Sequence, residues 1–231
     1  MYNLNFLQKP LTDKCIVLDL DETLVHTHAE KETDTMELFY SLNLFNNADY
    51  MDIRKRCYKI TMDDVLHKRG EGAKNEMWGV FRPHVKEFLH FCFNYFKIVI
   101  VWSAGRKNYV EQIVDKLFLG LRRPHIIYTF DDLEELKDKT LIKPLNKLIT
   151  TYPGLNKYMG LHNSLIIDDR TSVFQVPNPN NGIVIPAYHP SFRIDELRKP
   201  DSRLLELMNW LQKPDVMQST DVRHLKKNDI F

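Results

Sequence analysis

The stretch "KCIVLDLDET", residues 14–23, constrains this chain more than any other. A short β-branched apolar run is the pattern of a strand buried on both faces, as in parallel sheets. It ends in Asp19 and Asp21, and carboxylates resist burial unless something cationic compensates them. "KIVIVWS" (97–103) and "SLIIDD" (164–169) share this texture, and "HIIYTF" (125–130) and "GIVIPA" (182–187) are weaker versions of it. Between these runs lie helical stripes. One covers 82–96, with Val85, Phe88, Leu89 and Cys92 in phase and Pro83 in the first turn; another covers 107–118, with Val110, Ile113, Val114 and Leu117. Shorter patterns occupy 141–152 and 195–213, the latter regular from Ser202.

Strands alternating with helices predict an α/β fold, a doubly wound Rossmannoid parallel sheet in a single domain spanning 1–231. Residues 28–80 are too long for a strand-to-helix connection. They read as an insertion between the first strand and the first core helix, with strands at 36–44 and 56–62 and an exposed turn at 68–76. "DDLEELKDK" (131–139) reads as an exposed helix face, and residues 221–231 as a fraying tail.

The net charge of +1 over 231 residues makes no demand for nucleic acid or an anionic membrane, and neither is expected as a direct partner. The three cysteines, Cys15, Cys57 and Cys92, form no Cys-x-x-Cys pair and read as free thiols of a reducing compartment. The N-terminal residues lack the basic start and apolar stretch of a signal peptide. No window approaches the ~18 apolar residues of a membrane span. A nuclear or cytoplasmic location is expected.

In open α/β sheets the site lies beyond the carboxyl ends of the strands. Three such ends are polar here: Asp19-Leu20-Asp21, Ser103-Ala104-Gly105 and Asp168-Asp169. If the first strand persists, its period of two puts Asp19 and Asp21 on one side. Carboxylates converging on one edge repel unless neutralised, and an oxygen-bound hard cation such as Mg²⁺ makes them tolerable. A calcium loop would need a third ligand and then glycine where Thr23 and Leu24 stand. With Mg²⁺, a phosphate is the expected substrate group. Ser103 can hydrogen-bond a phosphoryl oxygen, and small Ala104 and Gly105 let backbone N–H groups approach it. Lys143, held by Pro144, is the candidate cation. Arg82 either clamps phosphate or pairs with an acid. His26, His84, His162 and His189 have no metal-ligand spacing and read as structural or surface residues.

"DLDETLVH", "FRPHVKEFL", "VWSAGRKNYV", "LIKPL" and "LIIDDR" occur in the order of the motifs of the haloacid dehalogenase superfamily. The chain most resembles its FCP/SCP-type, NLI-interacting-factor-like branch, phosphatases of the RNA polymerase II C-terminal domain. The resemblance runs from about Cys15 to Pro190, apart from 28–80. It implies that Asp19 attacks phosphorus to form an aspartyl-phosphate and that Asp21 acts as general acid and then base. It also implies Mg²⁺ held by Asp19, Asp21 (through its backbone carbonyl) and Asp169, with Asp168 supporting the metal or Lys143. Thr23, Ser103, Ala104 and Lys143 would bind the phosphoryl group. The small phosphatases commonly carry Asp-Asn where this chain has Asp168-Asp169. The implied activity is Mg²⁺-dependent hydrolysis of phosphoserine or phosphothreonine in a protein, with the polymerase tail as candidate substrate. Two alternatives stand beside it. One is a phosphatase of small metabolites or polynucleotide ends, which a lid rather than an open groove would favour. The other is a non-catalytic binding module, which would require a broken catalytic pair, whereas Asp19 and Asp21 are both present.

Overall fold

The computed structural model describes residues 9–29, 48–63, 74–191 and 193–231. Ten strands occur there: β1 (Cys15–Leu18), β2 (Val25–Ala29), β3 (Cys57–Asp63), β4 (Lys74–Phe81), β5 (Ile98–Trp102), β6 (Ile126–Tyr128), β7 (Glu134–Glu135), β8 (Leu141–Ile142), β9 (Ser164–Asp168) and β10 (Gly182–Val184). Five of them form a parallel sheet in the order β10-β9-β1-β5-β6. From β1 the chain builds outward through β5 and β6, then returns to the other side of β1 for β9 and β10. Strand order therefore reverses at β1, the place where such sheets open a crevice.

The strand period of two divides the core between the two faces. Ile16 lies opposite Val99 and Leu165, and all three pack in one apolar layer with the helices Val85–Tyr95, Lys107–Leu117 and Arg203–Leu211. Cys15, Val17, Ile98, Ile100 and Ile166 face the opposite layer, which includes Leu145 and Leu148 of the helix Leu145–Thr151. Helices on both faces give the expected doubly wound arrangement. Every residue of β1 and β5 is buried, in keeping with their unbroken apolar runs.

A second sheet, antiparallel in the order β2-β4-β3, holds the strand expected at 56–62, as β3, beside two strands that local pattern did not resolve. The strand β2 was not foreseen, because "VHTHA" alternates weakly and continues directly from the acidic turn. Residues 74–76, expected in an exposed turn, belong to β4. The strand expected at 36–44 lies outside the described residues. Gly79 of β4 is opposite Tyr58 of β3, and a Cβ at Gly79 would fall 2.2 Å from the Tyr58 ring. Glycine is thus what lets the Tyr58 ring lie across β4.

Two further expectations change. Residues 131–139 form no continuous helix: one 3-10 turn covers Phe130–Asp132, and β7 then pairs with β8 across a tight turn, with Lys139 at φ 67°. The helix expected from Ser202 is present as Arg203–Leu211, and Pro200 keeps it separate from a short preceding turn of helix, Ile194–Leu197. The tail does not fray, because Val222 and Ile230 are buried in the main core. Among the described residues, no helix is long and apolar enough to cross a membrane.

Candidate active site

The strand β1 ends at Leu18, but the Asp19 N–H still donates to the Ile167 carbonyl (3.0 Å), continuing the ladder by one residue. The register pairs Val17 with Ile166, so Asp19 and Asp168 emerge on the same face of the sheet. Lys143 arrives from the short strand β8. Its N–H donates to the Val173 carbonyl (2.7 Å), and Asn178 Nδ2 donates to the Lys143 carbonyl (2.7 Å). Asn178 Oδ1 also accepts from the Leu145 N–H (3.0 Å), so one buried amide fixes the lysine backbone at the helix start.

The Lys143 ammonium, 1% exposed, lies 2.6 Å from Asp19 Oδ1 and 2.6 Å from Asp168 Oδ2. Burial alone would lower the lysine pKa, but the two carboxylates outweigh it and hold the ammonium charged. Asp19 moves the other way: burial pushes its carboxyl up to about 8, against the pull of Lys143. Both partners of one ion pair are thus raised, a contradiction if Lys143 belonged to Asp19 alone. It is shared with Asp168, so one cation faces two carboxylates and negative charge is in excess. Asp169, half-buried beside them, is raised to about 6 by burial and by Asp168. Asp19, Asp168 and Asp169 each offer an oxygen, all within 4.8 Å of one another. An all-oxygen donor set with uncompensated negative charge fits a hard divalent cation. Asp168 is the most engaged of the three, since its Oδ1 also accepts from the Arg170 N–H (2.9 Å).

Asp21 is reached by a turn rather than by strand alternation: the Leu24 and Val25 N–H groups both donate to the Leu20 carbonyl (2.8 and 3.0 Å). Its side chain is held from two elements. Tyr109, on the helix Lys107–Leu117, donates to Asp21 Oδ1, and Ser103, just beyond β5, donates to Oδ2 (3.3 Å). Thr27 Oγ1 lies 2.6 Å from the Tyr109 hydroxyl and 2.6 Å from that of Tyr58. Because Tyr109 gives its proton to Asp21, the donors run in one direction, Tyr58 to Thr27 to Tyr109 to Asp21. Burial raises the Asp21 pKa, opposed first by the Tyr109 hydrogen bond. Such a carboxyl holds a proton more readily than a solvated one.

Asp19, Asp21, Ala104, Lys143, Asp168 and Asp169 line one open cavity of about 510 Å³, with Gly105, Tyr109, Met62 and Met77 on its walls. Thr23 and Ser103 are fully buried and stand behind that lining. Ser103 Oγ accepts from the Gly105 N–H (2.9 Å) while donating to Asp21, so it shapes the turn as well as the acid. The Thr23 hydroxyl has no partner among the described residues. Arg82 does not reach the cavity: its Nε and Nη2 form a fork on Asp201 (both 3.0 Å), and Nη1 donates to the Thr23 carbonyl (3.1 Å). It braces the acidic turn from behind. Tyr109, Thr27, Tyr58 and Asn178 were absent from the sequence-based site. Tyr109 carried a signal, a polar aromatic on the helix that follows Ser103, whereas the others depend on contacts distant in sequence.

Residues 14–223 match the family model of the NLI interacting factor-like phosphatases. The chain is 30% identical over 103 residues to carboxy-terminal domain RNA polymerase II polypeptide A small phosphatase 1 of Homo sapiens, covering 45% of this chain and 29% of that protein. It is 26% identical over 210 residues to a probable C-terminal domain small phosphatase of Dictyostelium discoideum, covering 91% and 53%. It is 29% identical over 173 residues to the mitochondrial import inner membrane translocase subunit TIM50 of Kluyveromyces lactis, covering 73% and 31%. The chain thus spans about half or less of the length of these relatives. A structure of Fcp1, an essential RNA polymerase II CTD phosphatase, superposes with a TM-score of 0.58 at 18% identity, over 94% of this chain and 58% of that one. A fission yeast Fcp1 bound to beryllium fluoride gives 0.56 at 18% identity, over 76% and 42%. The fold is that of the haloacid dehalogenase-like phosphatases.

Proposed function

Given that the chain belongs to the NLI interacting factor-like phosphatase family, we propose that it is a Mg²⁺-dependent phosphoprotein phosphatase acting on phosphoserine or phosphothreonine through an aspartyl-phosphate. The observation that carries this reading is the contrast between two carboxyls in one cavity. Asp19 is pinned to a charged lysine 2.6 Å away, and Asp21 is held by neutral hydroxyl donors in a site that favours its protonated form. A nucleophile and an acid need opposite protonation states; burial raises both carboxyls, Asp19 to about 8, so the charged Lys143 together with a bound cation would have to hold Asp19 ionised while Asp21 keeps its proton.

In the first step an Asp19 oxygen attacks phosphorus and the bond from phosphorus to the serine or threonine oxygen breaks. Asp21 gives its proton to the departing oxygen. In the second step Asp21, now ionised, takes a proton from water, whose oxygen attacks the same phosphorus. The bond to Asp19 breaks, inorganic phosphate leaves, and both carboxyls return to their starting states. Asp19, the Asp21 carbonyl and Asp169 would hold Mg²⁺, with Asp168 in support, and the ion would supply charge neutralisation for the phosphoryl oxygens. Lys143 contributes fixed positive charge, and Ala104 and Gly105 leave the backbone accessible to a phosphoryl oxygen. Thr23, with its unpartnered hydroxyl, is a further candidate for the phosphoryl-binding set, and Ser103, whose hydroxyl is given to Asp21, would join it only by releasing that bond.

Among the described residues the cavity is open, and Met62 and Met77 line it beside Tyr109, which supports a peptide over a small metabolite. The two C-terminal-domain phosphatase relatives make the polymerase tail the first candidate substrate. The translocase relative lends some support to a non-catalytic binding role, against which stands the complete Asp19, Asp21 and Lys143 constellation. The test is phosphate release from phosphoserine peptides of the polymerase-tail repeat and from para-nitrophenyl phosphate, each with Mg²⁺ or EDTA. Metal-dependent release from the peptides, lost in Asp19→Asn, is expected. Release from the small ester alone would favour another substrate, and no release from either would favour the binding role.

A further inference from the structure

On the far side of Asp21 lies a second group of ligating side chains that the phosphatase reading does not use. Glu22 adopts φ 60°, in the left-handed region that a non-glycine residue occupies at a cost of about 1 kcal/mol or more. Its carboxylate stands between two imidazoles, with Oε1 2.7 Å from His26 Nδ1 and Oε2 3.0 Å from His189 Nδ1. The Glu22 carbonyl accepts from the Tyr188 N–H (2.6 Å), which ties the segment carrying His189 to this turn. His189 is 167 residues from Glu22 in sequence, so no local spacing could reveal that two of the histidines read as structural or surface residues meet at this carboxylate.

One ligand atom from each of Glu22, His26 and His189 lies within 4.8 Å of the others. A tetrahedral ion with bonds of about 2.0–2.2 Å to nitrogen and oxygen needs its donors roughly 3.3–3.5 Å apart. The present separations of 2.7 and 3.0 Å are to different Glu22 oxygens, and the three ligand atoms lie within 4.8 Å of one another, so side-chain shifts that bring one Glu22 oxygen opposite both imidazoles would close the site. If His26 binds through Nδ1, its Nε2–H remains to be satisfied, and His28 Nε2 is there to accept it at 2.6 Å. An outer partner of this kind fixes the tautomer and orientation of a ligating histidine. His26 is 2% exposed and supplies a rigid wall, while the His189 side chain is 70% exposed and leaves an entry path.

We propose that Glu22, His26 and His189 form a binding site for a divalent first-row transition ion of the Zn²⁺ class, separate from the carboxylate cluster at Asp19. Two imidazoles and one carboxylate prefer Zn²⁺, Co²⁺ or Ni²⁺ over Mg²⁺, whereas the all-oxygen cluster has the opposite preference. Because Glu22 directly follows Asp21, an ion here clamps the catalytic turn to the chain beyond β10. The proposal stands on its own residues and survives if the phosphatase reading fails.

The test is a Co²⁺ titration of the full chain in excess Mg²⁺, followed by visible ligand-field absorption and by Zn²⁺ displacement. One Co²⁺ with the intense bands of four- or five-coordination is expected. His189→Ala, at an exposed position, should weaken it at least about a hundredfold, beyond the usual cost of losing an outer partner. Asp169→Asn, which opens the carboxylate cluster, should leave it in place. Circular dichroism of each variant checks the fold. Absence of the bands would overturn the proposal, as would a Co²⁺ affinity unchanged in His189→Ala or abolished in Asp169→Asn.

Discussion

Replacing Lys143 by methionine removes the cation and keeps much of the side-chain volume. Two buried carboxylates, Asp19 and Asp168, then lose a partner that stood 2.6 Å from each. Leaving a buried charge uncompensated costs about 3–5 kcal/mol, a large share of the roughly 5–15 kcal/mol that holds a domain folded. The loss should depend on pH in a definite direction. The Asp19 carboxyl is already raised to about 8 with Lys143 present, and losing that attraction raises it further. A carboxyl raised by folding keeps in the native state a proton that the unfolded chain releases, so stability falls as pH rises from about 4 through about 8. Wild type and variant share that fall until the pH nears 8 and part above it, so urea unfolding of the metal-free variant, followed by fluorescence of buried Trp102, should show a deficit that is larger at about pH 9.5 than at about pH 6. The further change Asp168→Asn should restore part of the loss, because one cation-seeking carboxylate is gone. A variant within about 1 kcal/mol of wild type at about pH 9.5, or a deficit that grows on acidification, would refute the argument.

Tyr109→Phe removes the hydrogen bond that orients Asp21 and should slow phosphoserine turnover about tenfold or more. Release from para-nitrophenyl phosphate, whose leaving group needs no proton, should change little; equal losses on both substrates would count against a role on Asp21. Arg82→Met breaks the fork to Asp201 without touching the cavity, and should lower Tm by an amount on the order of 10 °C. Raising Mg²⁺ should move the acidic limb of the pH–rate profile to lower pH, because the ion would favour the ionised forms of Asp19 and Asp169, which burial and then the neighbouring carboxylates disfavour. A limb that ignores Mg²⁺ concentration would contradict that.

The parallel core was legible because its strands are buried on both faces and therefore read as unbroken apolar runs, as β1 and β5 do. The strands β2 and β4 were not, because their pairing is set by partners in the second sheet rather than by their own alternation. The motif order also pointed to Asp19, Lys143 and Asp168, which the sheet register and Asn178 bring together. Expecting Asp21 on the same strand face as Asp19 was a correct proximity with the wrong cause, since the strand ends at Leu18 and a turn carries Asp21 onward. Arg82 shows the limit most plainly. Its choice between phosphate and an acidic partner was open until Asp201 was found 119 residues away. The same holds for His189 beside Glu22.

The central claim is that the Asp19 carboxylate itself takes up the phosphoryl group. It is tested most directly by mixing enzyme, Mg²⁺ and a radiolabelled phosphoserine peptide, quenching in acid within one turnover, and mapping the labelled enzyme peptide. Hydroxylamine-labile label on the peptide containing Asp19, absent in Asp19→Asn, is the predicted result. Phosphate release with no label on the enzyme, or ordinary turnover by Asp19→Asn, would contradict the account.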